Sequence, residues 1–352
     1  MNAISAAVND ILTPGKRWGT RRVADAGGLF KMIAIDQRAV MTGPIAEKLG
    51  AGKSPFEDAV RIKSIITGHL APHSTAMLLD PIYGYEKPIA VMPPDRGLML
   101  AYEHAPVEHT PGGRKSIPIP GWSVPQIRRI GADAVKVLVW YRADASDDVR
   151  AHQEAFVEAA GKACAENDIT LLLEPLVYPL PGEDPATLVP RRRQMVLDSI
   201  RPFCDPKFGV DIFKVEPPAP IFSVPDPNGP EAAAIQEGYD ALAAMLPRPW
   251  VMLSAAAGPA DFRRSLEYAY RAGASGYLAG RAIWADAFDR FPDYDALEKG
   301  VIDSIAYVKE INALTDRMAT PWTKHRAFAG TGREAPPSTT FVEDYGKTFA
   351  AA

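Results

Sequence analysis

Cysteine is scarce in this chain, with only Cys164 and Cys204 and no CxxC arrangement. That argues against a disulfide framework and a thiolate zinc site, and it points to a reducing compartment. Histidine is scarce too, at six residues. His69 and His73 have the spacing of a helical metal pair, but Pro72 stands between them, and both read as structural. His104 is the other histidine near a strand end, and one imidazole among scattered carboxylates makes a poor transition-metal centre. No metal and no cofactor are therefore expected. No segment approaches the ~20 apolar residues of a membrane helix. The net charge of −4 draws the chain towards neither nucleic acid nor an anionic membrane. The short basic run Arg191-Arg192-Arg193 reads as a solvated helix face. Arg21-Arg22 faintly echoes a twin-arginine signal, but Lys31 and Asp36 interrupt the apolar stretch after it and no small-residue cleavage site follows. A cytoplasmic protein is expected.

What is present is a regular alternation. The 352 residues are 47% hydrophobic and 23% charged, an ordinary globular balance. Short apolar runs at 29–35, 75–79, 98–101, 134–140, 169–173, 210–215, 250–253 and 276–279 read as strands buried on both faces. Helical spacing is clearest over 55–69, 122–130, 148–167, 188–204, 231–246 and 259–272. Ser123 ahead of Pro125, and Pro259 after a small-residue loop, resemble helix starts. Eight strands interleaved with helices predict a single (β/α)8 barrel over 29–317, with a capping segment at 1–28 and an irregular extension at 318–352. A doubly wound open sheet is the structural alternative, weakened because no GxGxxG follows the first strand. Residues 217–230, crowded with proline, predict a long loop after strand six.

Barrels place their chemistry at the C-terminal ends of the strands. There the sequence offers Asp36, Gln37 and Arg38 after strand one, Asp80 after strand two and Glu103 after strand three. Glu174 ends strand five, Ser254 follows strand seven, and Gly280-Arg281 follows strand eight. Lys136 lies within strand four and Lys214 within strand six, with Glu216 two residues on. A lysine inside a buried strand is costly as an ammonium, and desolvation lowers its pKa towards that of a neutral nucleophile. Two such amines facing one cavity repel each other, which lowers at least one pKa further. The plain alternative for either lysine is a buried salt bridge to Glu174 or Glu216. Period-two alternation sets Ile212, Lys214 and Glu216 on one face, taken to be the lumen. Gly280-Arg281, opening a short helix near the small residues after Ser254, has the features of a phosphate-holding loop.

Several of these stretches together resemble the tagatose 1,6-bisphosphate aldolase family, a group that also takes in the sulfofructose-phosphate aldolases. They are Ile35-Asp36-Gln37-Arg38, Leu79-Asp80-Pro81-Ile82-Tyr83-Gly84, Gly131-Ala132-Asp133-Ala134-Val135-Lys136, and Phe208-Gly209-Val210-Asp211-Ile212-Phe213-Lys214-Val215-Glu216. Leu253-Ser254-Ala255 and Ala279-Gly280-Arg281-Ala282-Ile283-Trp284 fit as well, and the likeness spans about residues 29–290. It implies a class I aldolase cleaving a ketose 1-phosphate to dihydroxyacetone phosphate and an aldehyde. Lys214 would form the Schiff base and Glu174 would be the acid/base carboxylate. Asp36, Gln37 and Lys136 would line the site, with Asp80 among the substrate contacts, and Ser254, Gly280 and Arg281 would hold the C1 phosphate. The partner is a small sugar phosphate, and barrels of this kind commonly form homo-oligomers. Two other readings compete: a sugar-phosphate sensor without turnover, and a metal-dependent barrel aldolase or isomerase. The 217–230 loop and the tail look longer than compact members require, which leaves the substrate's far end open.

Overall fold

The computed structural model describes residues 12–328 and 339–350, the side chains of 347–350 excepted. Eight parallel strands close into a barrel: β1 Phe30–Ala34, β2 Ala76–Leu79, β3 Gly97–Ala101, β4 Ala134–Trp140, β5 Thr170–Leu176, β6 Ile212–Val215, β7 Trp250–Met252 and β8 Gly276–Ala279. Each pairs with its neighbours in sequence, and β1 closes on β8 through Phe30↔Gly276. Every apolar run read as a strand is one, within a few residues.

Period two sorts the strand residues into two cores. Phe30, Met32, Ala34, Ala76, Leu78, Met99, Ala134, Leu172, Ile212, Val251 and Leu278 fill the lumen. Their neighbours Ile33, Met77, Leu100, Val135, Leu173, Phe213, Val215 and Met252 face the surrounding helices. The alternation that buries Ala134, Leu172 and Ile212 inside carries Lys136, Glu174 and Lys214 onto the same face, one layer higher. The lower end is stopped by Val23, Trp322 and Phe328, which join the lumen cluster. The helix Pro14–Arg22 lies at this end, fastened by Lys16 to Asp211 at 2.8 Å.

Departures from the sequence expectation have local causes. The helix Ala39–Leu49 contains Gly43 and Pro44, which hide it from a propensity reading. The helix Tyr294–Met318 buries Leu297, Val301, Val308, Ile311 and Leu314, a stripe lying beyond the β/α repeat. The stretch expected as one helix over 188–204 is a helix only at Arg192–Ile200, flanked by 3-10 turns that carry Pro185 and Pro202. A small hairpin, Glu108–Thr110 with Gly113–Lys115, has no apolar alternation to announce it. The 217–230 segment holds no regular element before the helix Ala232–Met245. The tail contains two 3-10 turns and the helix Phe341–Ala350, where irregular structure was expected; 329–338 lie outside the described residues. Among the described residues no helix is long and apolar enough to cross a membrane.

Candidate active site

Three carboxylates from three strand ends converge on one ammonium. Lys136 Nζ lies 2.7 Å from Asp36 Oδ2, 2.8 Å from Glu103 Oε1 and 2.9 Å from Glu174 Oε2. Lys136 donates hydrogen bonds to Asp36 and Glu103, and Glu174 completes the set as an ion pair. Burial alone would push the Lys136 pKa down, and it is the largest single influence. The three carboxylates together overcome it and lift the pKa well above 10.5. The expectation of a lowered pKa thus fails at Lys136: the amine is clamped as a cation. Burial likewise opposes ionisation of Asp36, but the charges of Lys136 and Lys214 hold its carboxyl well below 3.8. The linkage signs follow. Lys136 stabilises the fold at all pH values below 10.5, and that contribution is lost only as pH rises through its raised pKa. Asp36 stabilises above pH 3.8 and loses its contribution as pH falls through its depressed pKa.

Glu174 spans two amines, one with each oxygen. Its Oε1 lies 2.8 Å from Lys214 Nζ, so the salt bridge weighed from sequence does form. Lys214 nevertheless differs from Lys136, because it lines an open cavity of about 220 Å³. Glu174 and Gln37 line the same cavity, along with Ser254, Gly280 and Arg281 towards β7 and β8 and Trp140, Leu176 and Ile221 on the other side. Lys136 sits below, outside the lining, and so does its partner Asp36, expected from sequence to contact the substrate. Glu216 is also in the wall; it takes Arg192 at 3.0 Å and the Val177 amide at 2.8 Å. Burial raises its pKa in spite of Arg192.

The corner of the cavity beside β7 and β8 is built from a strained turn and a helix start. Ala255 and Ala256, after β7, both have positive φ, at 48° and 61°. Consecutive left-handed non-glycine residues cost on the order of 1–3 kcal/mol each and cluster at ligand-binding turns. Gly280 precedes the helix Arg281–Phe288. A Cβ there would stand 2.8 Å from the Ala34 carbonyl oxygen and 2.9 Å from Gln37 Nε2. Gly280→Ala is therefore expected to displace Gln37 and cost about 1–3 kcal/mol, as overpacking does. A thermal-melt series checks this, and an unchanged midpoint would show that the wall yields freely.

Asp80 takes a different part from the substrate contact expected of it. It is fully buried, its Oδ1 accepting from the amides of Ile82 and Tyr83 and its Oδ2 paired with Lys63. It lines no part of the cavity, because its oxygens are spent on the loop after β2. Lys63, from the helix Phe56–Leu70, also donates to the carbonyls of Ile35 at 2.6 Å and Gln37 at 2.9 Å. Sequence reasoning missed Lys63. Its signal was a lysine on the buried stripe of Ala59, Ile62, Ile66 and Leu70. Burial lowers its pKa despite Asp80. Lys63→Met strands a buried carboxylate, so a loss of about 3–5 kcal/mol in urea unfolding is expected; a change below about 1 kcal/mol would refute this role. Glu103 was visible at a strand end without an assigned part. It anchors Lys136 and accepts the Leu138 amide at 3.0 Å, while its carbonyl accepts from Arg38 Nη2 at 2.5 Å.

The arrangement can present one amine to a ligand, move a proton through Glu174 and hold an anion beside β7 and β8. Comparison with known proteins gives the family. The family model described as DeoC/LacD family aldolase matches residues 30–286. Tagatose 1,6-diphosphate aldolase of Streptococcus agalactiae is 30% identical over 328 residues, covering 88% of this chain and 98% of that protein. Among solved structures, fructose-bisphosphate aldolase from Plasmodium falciparum superposes with a TM-score of 0.63 at 12% identity, covering 90% of this chain and 96% of that one. A Schiff-base-forming fructose-1,6-bisphosphate aldolase gives 0.54 at 13%, covering 84% and 98%. At such identities these two speak for the barrel fold alone. With the family model matching residues 30–286 and the Streptococcus agalactiae relative 30% identical over most of both chains, the chain belongs to the DeoC/LacD family of aldolases.

Proposed function

We propose that this aldolase works through a Schiff base on Lys214 and cleaves a ketose 1-phosphate, foremost tagatose 1,6-bisphosphate, to dihydroxyacetone phosphate and glyceraldehyde 3-phosphate. The carrying observation is the contrast between two buried lysines. Lys136 is buried among three carboxylates outside the cavity lining, while Lys214 lines the cavity with Glu174 2.8 Å away.

On this reading Lys214 attacks the C2 carbonyl after giving up a proton, for which Glu174 is the adjacent acceptor. The carbinolamine loses water to give an iminium, which draws electrons from the C3–C4 bond as a base takes the C4 hydroxyl proton. The aldehyde leaves, the enamine is protonated at C3, and hydrolysis frees dihydroxyacetone phosphate and Lys214. Lys136 keeps Glu174, Asp36 and Glu103 in place as a fixed counter-charge. Ser254, Gly280 and Arg281 hold the C1 phosphate and Gln37 orients hydroxyls, while Asp36, bonded to Lys136 outside the cavity lining, acts through that lysine.

The iminium is the electron sink in this scheme, so chelation distinguishes it from metal-dependent cleavage. A retro-aldol screen of ketose 1-phosphates, read by dihydroxyacetone phosphate release, is expected to give turnover unchanged by excess EDTA. Activity abolished by EDTA and restored by a divalent ion would overturn the reading, and binding without turnover would point to a sensor.

A further inference from the structure

A second arginine stands across the barrel from Arg281. In a closed ring of eight strands, β4 and β8 are four places apart and face each other. Arg281 follows β8 and Trp140 ends β4, and both line the cavity that holds Lys214. The hairpin between β3 and β4 brings Arg114 onto Trp140, with its guanidinium 4.5 Å from that ring's centroid and 4.7 Å from that of Tyr178.

This placement is fixed rather than incidental. The Arg114 amide donates to the Tyr178 hydroxyl at 2.9 Å. Gly113 has φ +140°, and a Cβ there would come 2.4 Å from the Tyr178 oxygen, so only glycine lets the hairpin seat this closely. His104 N to Ile117 O at 2.7 Å and Ser116 N to Gln153 Oε1 at 2.8 Å tie down the hairpin's base. The two rings stand nearly perpendicular, at 83°, and form a corner for the cation. Among the described residues no carboxylate pairs with the Arg114 side chain, although it is half-buried. Arg142 is engaged with Asp144 and Glu183 and Arg192 with Glu216, while Arg38 gives Nη2 to the Glu103 carbonyl and keeps Nε and Nη1 buried without a hydrogen-bond partner, which makes it the rival candidate for an anion. A rigid guanidinium held on aromatic faces, with donors still to spend, suits a tetrahedral anion.

We infer that Arg114 sets specificity at the far end of the substrate by binding a second anionic group, a phosphate or sulfonate at C6, while Arg281 takes the C1 phosphate. The inference rests on the ketose 1-phosphate reading of the cavity. The substrate then lies across the barrel mouth from β8 to β4, with its C2 over Lys214 on β6.

The test uses unreactive analogues, so that binding is read apart from turnover. Calorimetry compares hexitol 1,6-bisphosphate, a 6-sulfo hexitol 1-phosphate and hexitol 1-phosphate on the wild type, Arg114→Met, Arg114→Lys and Arg38→Met. Wild-type protein is expected to prefer at least one of the two doubly anionic ligands over the monophosphate by about 10- to 100-fold, the range of a charge-assisted hydrogen bond. The better of the two names the anion. Arg114→Met keeps the packing on the rings and is expected to erase that preference while changing monophosphate affinity less than about twofold. Arg114→Lys is expected to keep part of it. Equal losses for all ligands, no preference in the wild type, or a preference lost in Arg38→Met and kept in Arg114→Met would each overturn the assignment. Failure of retro-aldol turnover alongside intact selective binding would strike the Schiff-base reading alone.

Discussion

Replacing Lys214 with methionine is expected to lower kcat by roughly 10⁴- to 10⁶-fold, the scale on which enzymes lose activity when a covalent nucleophile is removed. The argument is geometric. Lys214 is the amine that lines the cavity, and the other lumen lysine, Lys136, is buried outside that lining among three carboxylates. Lys136 is therefore held out of reach of a ligand in the cavity. Methionine matches the length and apolar stem of lysine, and Glu174 keeps Lys136 at 2.9 Å after the change. The fold should survive within about 1–2 kcal/mol, a typical cost for one substitution. Steady-state turnover together with a thermal melt separates lost chemistry from lost structure. A folded Lys214→Met variant with activity within tenfold of the wild type would show that another group carries the reaction.

Glu174→Gln comes next, with an expected loss of about 10²- to 10⁴-fold in kcat, as for removal of a positioned general acid–base. Glu174 serves both amines at once, at 2.8 Å to Lys214 and 2.9 Å to Lys136. The amide keeps the shape but cannot accept a proton, and its NH2 would point at one of the two ammonium groups. Lys136 retains Asp36 and Glu103, so the hub under the cavity persists. Imine formation is then slowed rather than abolished, and Glu174→Asp is expected to recover part of the rate. A rate loss below tenfold in the glutamine variant would move the acid–base role elsewhere, for which Glu216, buried in the same wall with a raised pKa, is the next carboxylate.

The fold was legible because burial on both faces leaves a plain trace: eight apolar runs, each a strand. Parity then told which side chains point inward, since Lys214 shares a face with Ile212 and Lys136 with Ala134. What parity could not supply was the pairing between strand ends. Lys136 and Lys214 look alike in sequence, each flanked by valine or phenylalanine, yet one is enclosed by carboxylates from β1, β3 and β5 and the other faces open space. That difference comes from three distant segments meeting, which no local pattern encodes. Asp80 was misjudged for the same reason: its partner Lys63 lies on a helix seventeen residues earlier, on a stripe otherwise apolar. The hairpin that carries Arg114 was invisible because its strands are three residues long and polar.

The most direct measurement is covalent trapping. Protein incubated with dihydroxyacetone phosphate and borohydride, then digested and mapped by mass spectrometry, should carry the reduced adduct on Lys214 and none on Lys136. An adduct on a different lysine, or no adduct in protein that turns over substrate, would contradict the account.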